Sequence, residues 1–163
     1  MSASPPRVSI VVPFYNCRYV DQALTSALAQ TYPDIEVVVV NDGSARELDR
    51  LDPFRGRVRC VDKPNGGTAS TLNAATRAMT GEFWTWLSSD DLYLPDKVAA
   101  QVALLEETGL SACHGAWANI DPDGTELEPH RYSYPARADF ARALLQSNFV
   151  NGCTVMLRRA VLD

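Results

Sequence analysis

Two almost unbroken runs of β-branched residues, VSIVV at 8–12 and IEVVVV at 35–40, constrain this chain more than any other feature. A strand wetted on one face alternates apolar and polar residues, whereas one covered on both faces reads as a continuous apolar run. These runs therefore predict interior strands of a parallel sheet sheathed by helices. Shorter candidate strands fall at 58–61, 83–87 and 154–157. Helical periods lie between them. Asn16 is expected to cap a helix whose apolar face is Val20, Leu24, Ala27 and Leu28. A second helix is expected over about 68–79, with Thr68, Leu72, Ala75 and Met79 on one stripe and Gly81 ending it. Pro95 opens a third, carrying Val98, Val102 and Leu105 until Gly109. The order β-α-β-(α)-β-α-β-α defines an α/β fold with a mainly parallel central sheet.

In such sheets the ligand lies beyond the carboxyl ends of the strands. Those ends are polar here: Pro13-Phe14-Tyr15-Asn16, Asn41-Asp42-Gly43-Ser44, Asn65-Gly66-Gly67 and Ser88-Ser89-Asp90-Asp91. Asp42 can accept a hydrogen bond from a base or sugar, Gly43 permits a tight turn, and Gly66-Gly67 let backbone approach a ligand at a helix N-terminus. Adjacent carboxylates such as Asp90 and Asp91 need a counter-ion, and a divalent metal can take their oxygens while keeping positions open for phosphate. The net charge of -5 argues against a nucleic-acid surface. It also means that a bound polyphosphate needs a cation beside it.

Several chemistries have no support. The chain has no Gly-rich dinucleotide fingerprint, no Walker-type Gly-Lys-Ser/Thr and no Gly-x-Ser-x-Gly elbow. Cys17, Cys60, Cys113 and Cys153 lack zinc or redox spacing and read as free thiols, with Cys60 and Cys153 as small hydrophobes in apolar runs. His114 and His130 read as structural or surface residues, and Asp121-Pro122-Asp123-Gly124 as a turn rather than a carboxylate site. Trp84 and Trp86 share one strand face and are expected to pack under a helix. Trp117, near the end of a fifth strand expected at 112–118, is a weaker candidate for the acceptor side, as is a mobile loop at 121–135. No apolar stretch is long enough for a membrane span, and residues 1–7, with Pro5 and Pro6, lack the charged-then-apolar layout of a signal peptide.

In the order VSIVVPFYN, Gln30-Thr31-Tyr32-Pro33, IEVVVVNDGS, NGGTASTLNAA, Gly81-Glu82 and WLSSDD followed by Pro95 and Lys97, the chain resembles the inverting family 2 glycosyltransferases of the GT-A fold. The resemblance covers nearly all of it and implies a Rossmann-like α/β/α sandwich over 7–163 after a disordered tail at 1–6. It implies transfer of a sugar from a nucleotide-diphosphate donor, expected to be a UDP-sugar, to a carbohydrate, lipid-linked or protein acceptor, with a role in polysaccharide or glycoconjugate synthesis. Pro13 and Tyr15 would lie against the base, Asp42 would hydrogen-bond it, and Asp90 would contact ribose or sugar. Gly66 and Gly67 complete the donor-binding set, and Asp91 would hold Mn²⁺ or Mg²⁺.

Ser88 stands where many members of the family carry a further Asp. The family's general base follows a strand resembling 151–159, so it is expected beyond Asp163, in a part of the domain truncated here. Asp163 itself lies too close to that strand to serve. A non-catalytic nucleotide-sugar-binding module and, more remotely, a sugar-nucleotide nucleotidyltransferase are the alternatives. The expected location is cytoplasmic, at or near the inner membrane face, and an exposed strand edge at 154–157 offers a route to a homo-oligomer.

Overall fold

The computed structural model describes residues 4–127, 135–136 and 138–162. Four parallel strands, β1 (Val8–Phe14), β2 (Ile35–Asn41), β3 (Arg59–Asp62) and β4 (Phe83–Trp86), are joined by β5 (Ala112–Cys113) and β6 (Met156–Arg158) in the order β3-β2-β1-β4-β6-β5. β6 runs antiparallel to both β4 and β5. The main helices are α1 (Val20–Leu28), α2 (Gly67–Ala78) and α3 (Lys97–Thr108), with a short α4 (Phe140–Gln146) near the end. A 3₁₀ helix, Leu48–Phe54, fills the connection from β2 to β3.

The two runs that announced the sheet lie at its centre. Along β1, Ile10, Val12 and Phe14 point into a core completed by Val20, Leu24 and Ala27 of α1 and by Val98, Val102 and Leu105 of α3. Val11 points the other way, with Val38 and Val40 of β2, Trp84 of β4, and Ala75 and Met79 at α2. Period-two alternation thus delivers apolar side chains to both layers. The polar interruptions of the runs, Ser9 and Glu36, are partners in the β1–β2 register and hydrogen-bond each other. Glu36 and Ser9 both also accept from the Gly81 amide. Desolvation pushes the Glu36 carboxyl up, but the Ser9 hydroxyl and the amides of Thr80 and Gly81 outweigh it and hold it below the ordinary range.

The family stretch at 30–33 has a packing role. Gln30 donates to the Leu94 carbonyl (2.8 Å) and accepts from the Val98 amide (3.0 Å), and the Thr31 amide donates to the Pro95 carbonyl (2.8 Å). These bonds join the end of α1 to the start of α3.

Some expectations need correction. Asn16 does not cap α1, which begins at Val20 with no side-chain cap; its Oδ1 accepts from the Ala45 and Arg46 amides, both 2.9 Å, thirty residues away. Thr68 is exposed, and Thr71 takes the inward position on α2. The strand expected from 154 starts at Met156, because Gly152–Thr154 forms a 3₁₀ turn. It is no free edge, since it sits between β4 and β5. The fifth strand covers only two residues, and Trp117 lies beyond it, half-buried. Cys60 is exposed rather than buried in its strand. The four thiols are free, Trp84 packs against α2, and 121–124 is a turn with Asp121 Oδ1 accepting from the Asp123 and Thr125 amides. His114 packs on the Phe140 ring. Met1–Ala3, His130, Asp163 and positions 128–134 of the proposed mobile loop lie outside the described residues, whereas the Pro6 carbonyl in the tail accepts from the Tyr32 hydroxyl at 2.7 Å.

Candidate functional site

From β1 the chain proceeds outward to β2 and β3, then returns to β4 on the other side, so the topological switch lies between β1 and β4. In open α/β sheets a crevice forms there. The Leu87 amide donates to the Val11 carbonyl (3.0 Å), and Pro13, two residues on and facing the same neighbour, has no N–H to extend the ladder. Past this point β1 and the chain leaving β4 separate. Pro13 is half-buried at the mouth, and Tyr15 stands 55% exposed beside it. The loop after β1 is tied to both flanks: the Asn16 amide donates to Ser44 Oγ (3.1 Å), and the Cys17 thiol donates to the Ser89 carbonyl (3.3 Å).

On the β2 side, Asp42 is 4% exposed and anchors a cluster. Its Oδ1 accepts from the Lys63 ammonium and the Gly66 amide (2.9 Å), and its Oδ2 accepts from the Gly67 amide (2.8 Å). The carboxylate therefore closes the N-terminus of α2, where free amides and the helix dipole favour an anion. Burial pushes the Asp42 carboxyl up, while Lys63 and the two amides pull harder and leave it below the ordinary range. Gly43 makes the turn possible with φ +74°, and a Cβ there would meet the Asn65 amide nitrogen at 2.9 Å. Asp42, Gly66 and Gly67 are thus brought into direct contact, with the two amides turned to the carboxylate.

On the β4 side, residues 88–91 form a turn closed by the Asp91 amide on the Ser88 carbonyl (3.1 Å). Asp90 is exposed and Asp91 half-buried, and among the described residues neither forms an ion pair. The turn rests on Cys153, whose Sγ lies 3.1 Å from Ser88 Oγ and accepts from the Ser88 amide (3.4 Å). Burial, then the neighbouring Asp91 carboxylate, pushes the Cys153 thiol up to about 11, so it stays protonated. Asp90 also lines a cleft of about 220 Å³ shared with Tyr19 and Gln22 of the α1 end and with Ile120, Asp121 and Gly124.

Beneath the turn lies a polar cluster. The Tyr93 hydroxyl donates to the Trp86 carbonyl (2.5 Å), Thr85 Oγ1 donates to the Val155 carbonyl (2.8 Å), and Lys97 Nζ donates to Thr85 Oγ1 (2.8 Å) from 3.9 Å above the Tyr93 ring centroid. Desolvation lowers Lys97 to about 7, against partial compensation from Cys113 and Cys153. Burial likewise pushes the Tyr93 phenol up.

Lys63 and Cys153 were missed by sequence reasoning. Lys63 was within reach of it, because in parallel neighbours the strand ends stop level: Asn41 pairs with Asp62, which puts the next residues, Asp42 and Lys63, side by side. Cys153 had no such signal, its contact lying 65 residues away.

A sheet of this order, with polar loops after β1, β2 and β4, defines an α/β domain of the GT-A kind. The model for Glycosyl transferase family 2 matches residues 9–163, and the chain belongs to that family. It is 37% identical over 152 residues to a chondroitin synthase of Pasteurella multocida, covering 88% of this chain and 16% of that protein. S. aureus TarS 1-349 in complex with UDP-GlcNAc superposes with TM-score 0.75 at 23% identity, over 96% of this chain and 46% of that one. A mannosyltransferase from Pyrobaculum calidifontis in complex with GDP-Man and Mn²⁺ gives 0.66 at 23% identity, over 96% and 46%. The chain spans 24–50% of the length of uncharacterized Rickettsia glycosyltransferases that it matches at 34–36% identity.

Proposed function

We propose that this domain binds a nucleotide-diphosphate sugar, with UDP as the nucleotide, and passes the sugar to an acceptor hydroxyl with inversion. The observation that carries the reading is the contrast, at two strand ends of one sheet, between a buried carboxylate at Asp42 held by its own chain and the pair Asp90 and Asp91, which forms no ion pair among the described residues. An ionised carboxylate has about four acceptor sites. Lys63, Gly66 and Gly67 take three of those on Asp42, which leaves one on Oδ2 for an N–H of the base. Exposed Tyr15 and the Pro13 ring offer flat apolar surface against the base, and Asp90 suits a ribose or sugar hydroxyl.

Asp91 fits a divalent cation. It supplies a hard oxygen, and among the described residues no group of three or more His, Cys, Asp or Glu is gathered to fill the rest of a coordination shell. That leaves coordination positions for diphosphate oxygens. Mn²⁺ or Mg²⁺ there supplies neutralisation of the charge that gathers on the leaving diphosphate. The chain's own residues bind and orient: Asp42 fixes the base end, and the 88–91 turn holds the diphosphate end within the crevice. The likeness to a chondroitin synthase favours a polysaccharide or glycoconjugate acceptor, met in the cytoplasm or at the inner face of the membrane. No residue is proposed as the general base.

Calorimetric titration of UDP into the protein with Mn²⁺, with EDTA, and with Asp91→Ala tests the donor site. Metal-dependent binding is expected, lost at least tenfold in the variant; metal-independent binding, or none by folded wild-type protein, overturns it.

A further inference from the structure

Among the described residues Asn16, with φ +50°, is one of two that are not glycine and have positive φ. Asparagine tolerates the left-handed region better than most residues, and here both its backbone and its side chain are engaged by the loop after β2. The Asn16 amide donates to Ser44 Oγ (3.1 Å), and Asn16 Oδ1 accepts from the Ala45 and Arg46 amides (2.9 Å each). The Ser44 amide donates in turn to Asn41 Oδ1 (2.9 Å), and Asn41 Nδ2 to Asp62 Oδ1 (2.9 Å), which carries the clasp to the end of β3. On the other side of Tyr15, the Phe14 carbonyl accepts from the Asp42 amide (2.9 Å). The backbone on both sides of Tyr15 is therefore tied to the loop that carries Asp42, although the Tyr15 ring itself is exposed.

We propose that Asn16 is a positioning residue that locks Tyr15 and Asp42 into one base-reading unit, and so governs which base is bound more than how tightly the diphosphate is held. The inference rests on the donor-site reading. In that reading a ring lies against the face of the base and a carboxylate accepts from its edge. The ring alone cannot discriminate, because flat aromatic contact accepts every base. Discrimination needs ring and carboxylate at a fixed separation, so that a wrong base stacked on the ring leaves the carboxylate unmatched. Asp42 is already held by Lys63, Gly66 and Gly67. The freedom that remains is that of Tyr15 relative to it, and Asn16 is the side chain that removes it. None of the clasp's bonds reaches the 88–91 turn, which the loop after β1 meets through Cys17.

The test compares UDP, titrated calorimetrically with Mn²⁺, and ADP, measured by displacement of UDP, in wild type, Asn16→Gly, Asn16→Ala and Asn16→Asp, with thermal unfolding recorded for each. ADP shares the ribose and diphosphate of UDP and differs in its base. The Gly variant accepts the positive φ but removes the side-chain acceptor, the Ala variant removes the acceptor and strains the backbone, and the Asp variant keeps an oxygen for the two amides. The Gly and Ala variants are expected to lower the ratio of UDP to ADP affinity roughly tenfold, the worth of one well-placed hydrogen bond, with the Asp variant within about threefold of wild type. A merely structural role would lower the melting temperature and weaken both nucleotides together, leaving the ratio where it was. An unchanged ratio in the Gly and Ala variants, an Asp variant as unselective as Gly, or a wild type that binds ADP as well as UDP overturns the inference while leaving the donor site standing. Failure of folded wild type to bind UDP sinks the donor-site reading and this inference with it.

Discussion

Asp42 and Asp91 both follow parallel strands at one end of one sheet, yet the protein treats them in opposite ways. Asp42 is buried and receives an ammonium and two amides from its own chain. Asp91 is half-buried and adjoins a second carboxylate, and among the described residues it forms no ion pair. The first charge is part of the folded structure; the second is left for something else to neutralise. A chain can hold unmet negative charge at a binding site when the rest of that site is internally satisfied and rigid.

Removing each carboxylate should separate the two roles. Asp42→Ala strands the Lys63 ammonium and reopens the α2 N-terminus, so a loss of about 3 kcal/mol is expected in urea unfolding. A loss below about 1 kcal/mol would mean that the cluster rearranges freely and that the contrast with Asp91 is false. The Asp42 contribution is present above the ordinary carboxylate range and fades as pH falls through the depressed folded value, so the deficit of Asp42→Ala should narrow in acid.

Lys97 sharpens the comparison because it is half-buried and forms no ion pair among the described residues. Its folded value is about 7 against an ordinary 10.5, so folding releases its proton between those limits and the stability it contributes grows as pH rises. Wild type should gain about 2 kcal/mol relative to Lys97→Met between pH 7 and pH 9. Cys60, Cys113, Cys153 and Tyr93, all pushed up, act in the opposite direction at the alkaline end, and both proteins carry them. A pH-independent difference between the two urea curves would show that Lys97 stays protonated beside the Tyr93 ring.

The smallest effect belongs to Asp90→Asn. Exposed and without an ion pair among the described residues, Asp90 should change stability by less than about 0.5 kcal/mol. A larger stabilisation would show that repulsion from Asp91 strains the turn even without a ligand.

The central strands were legible because burial on both faces leaves its mark in consecutive residues. So were the polar strand ends, since each is local in the chain. What failed was non-local. Asn16 has the chemistry of a helix cap, but two amides from a loop thirty residues away claimed its side chain before α1 could. The run at 154–157 promised a strand without saying which neighbours it would take, and insertion between β4 and β5 turned an expected edge into an interior position. Cys60 shows the reverse error: an apolar neighbourhood in sequence, at the outer strand of the sheet, is still a surface in space.

The antiparallel seam between β4 and β6 has a consequence for the order in which this molecule comes into being. β4 and its acidic turn leave the ribosome early, while Cys153, on which that turn rests, emerges 65 residues later than Ser88. At the usual pace of synthesis that interval lasts several seconds. During it the edge of β4 that β6 will occupy is bare, and closing so long a loop is a slow, late step. The nascent chain therefore assembles the Asp42 half of the crevice first and acquires the Asp91 half at the end. A growing polypeptide holds its Asp42 corner well before its Asp91 corner is braced.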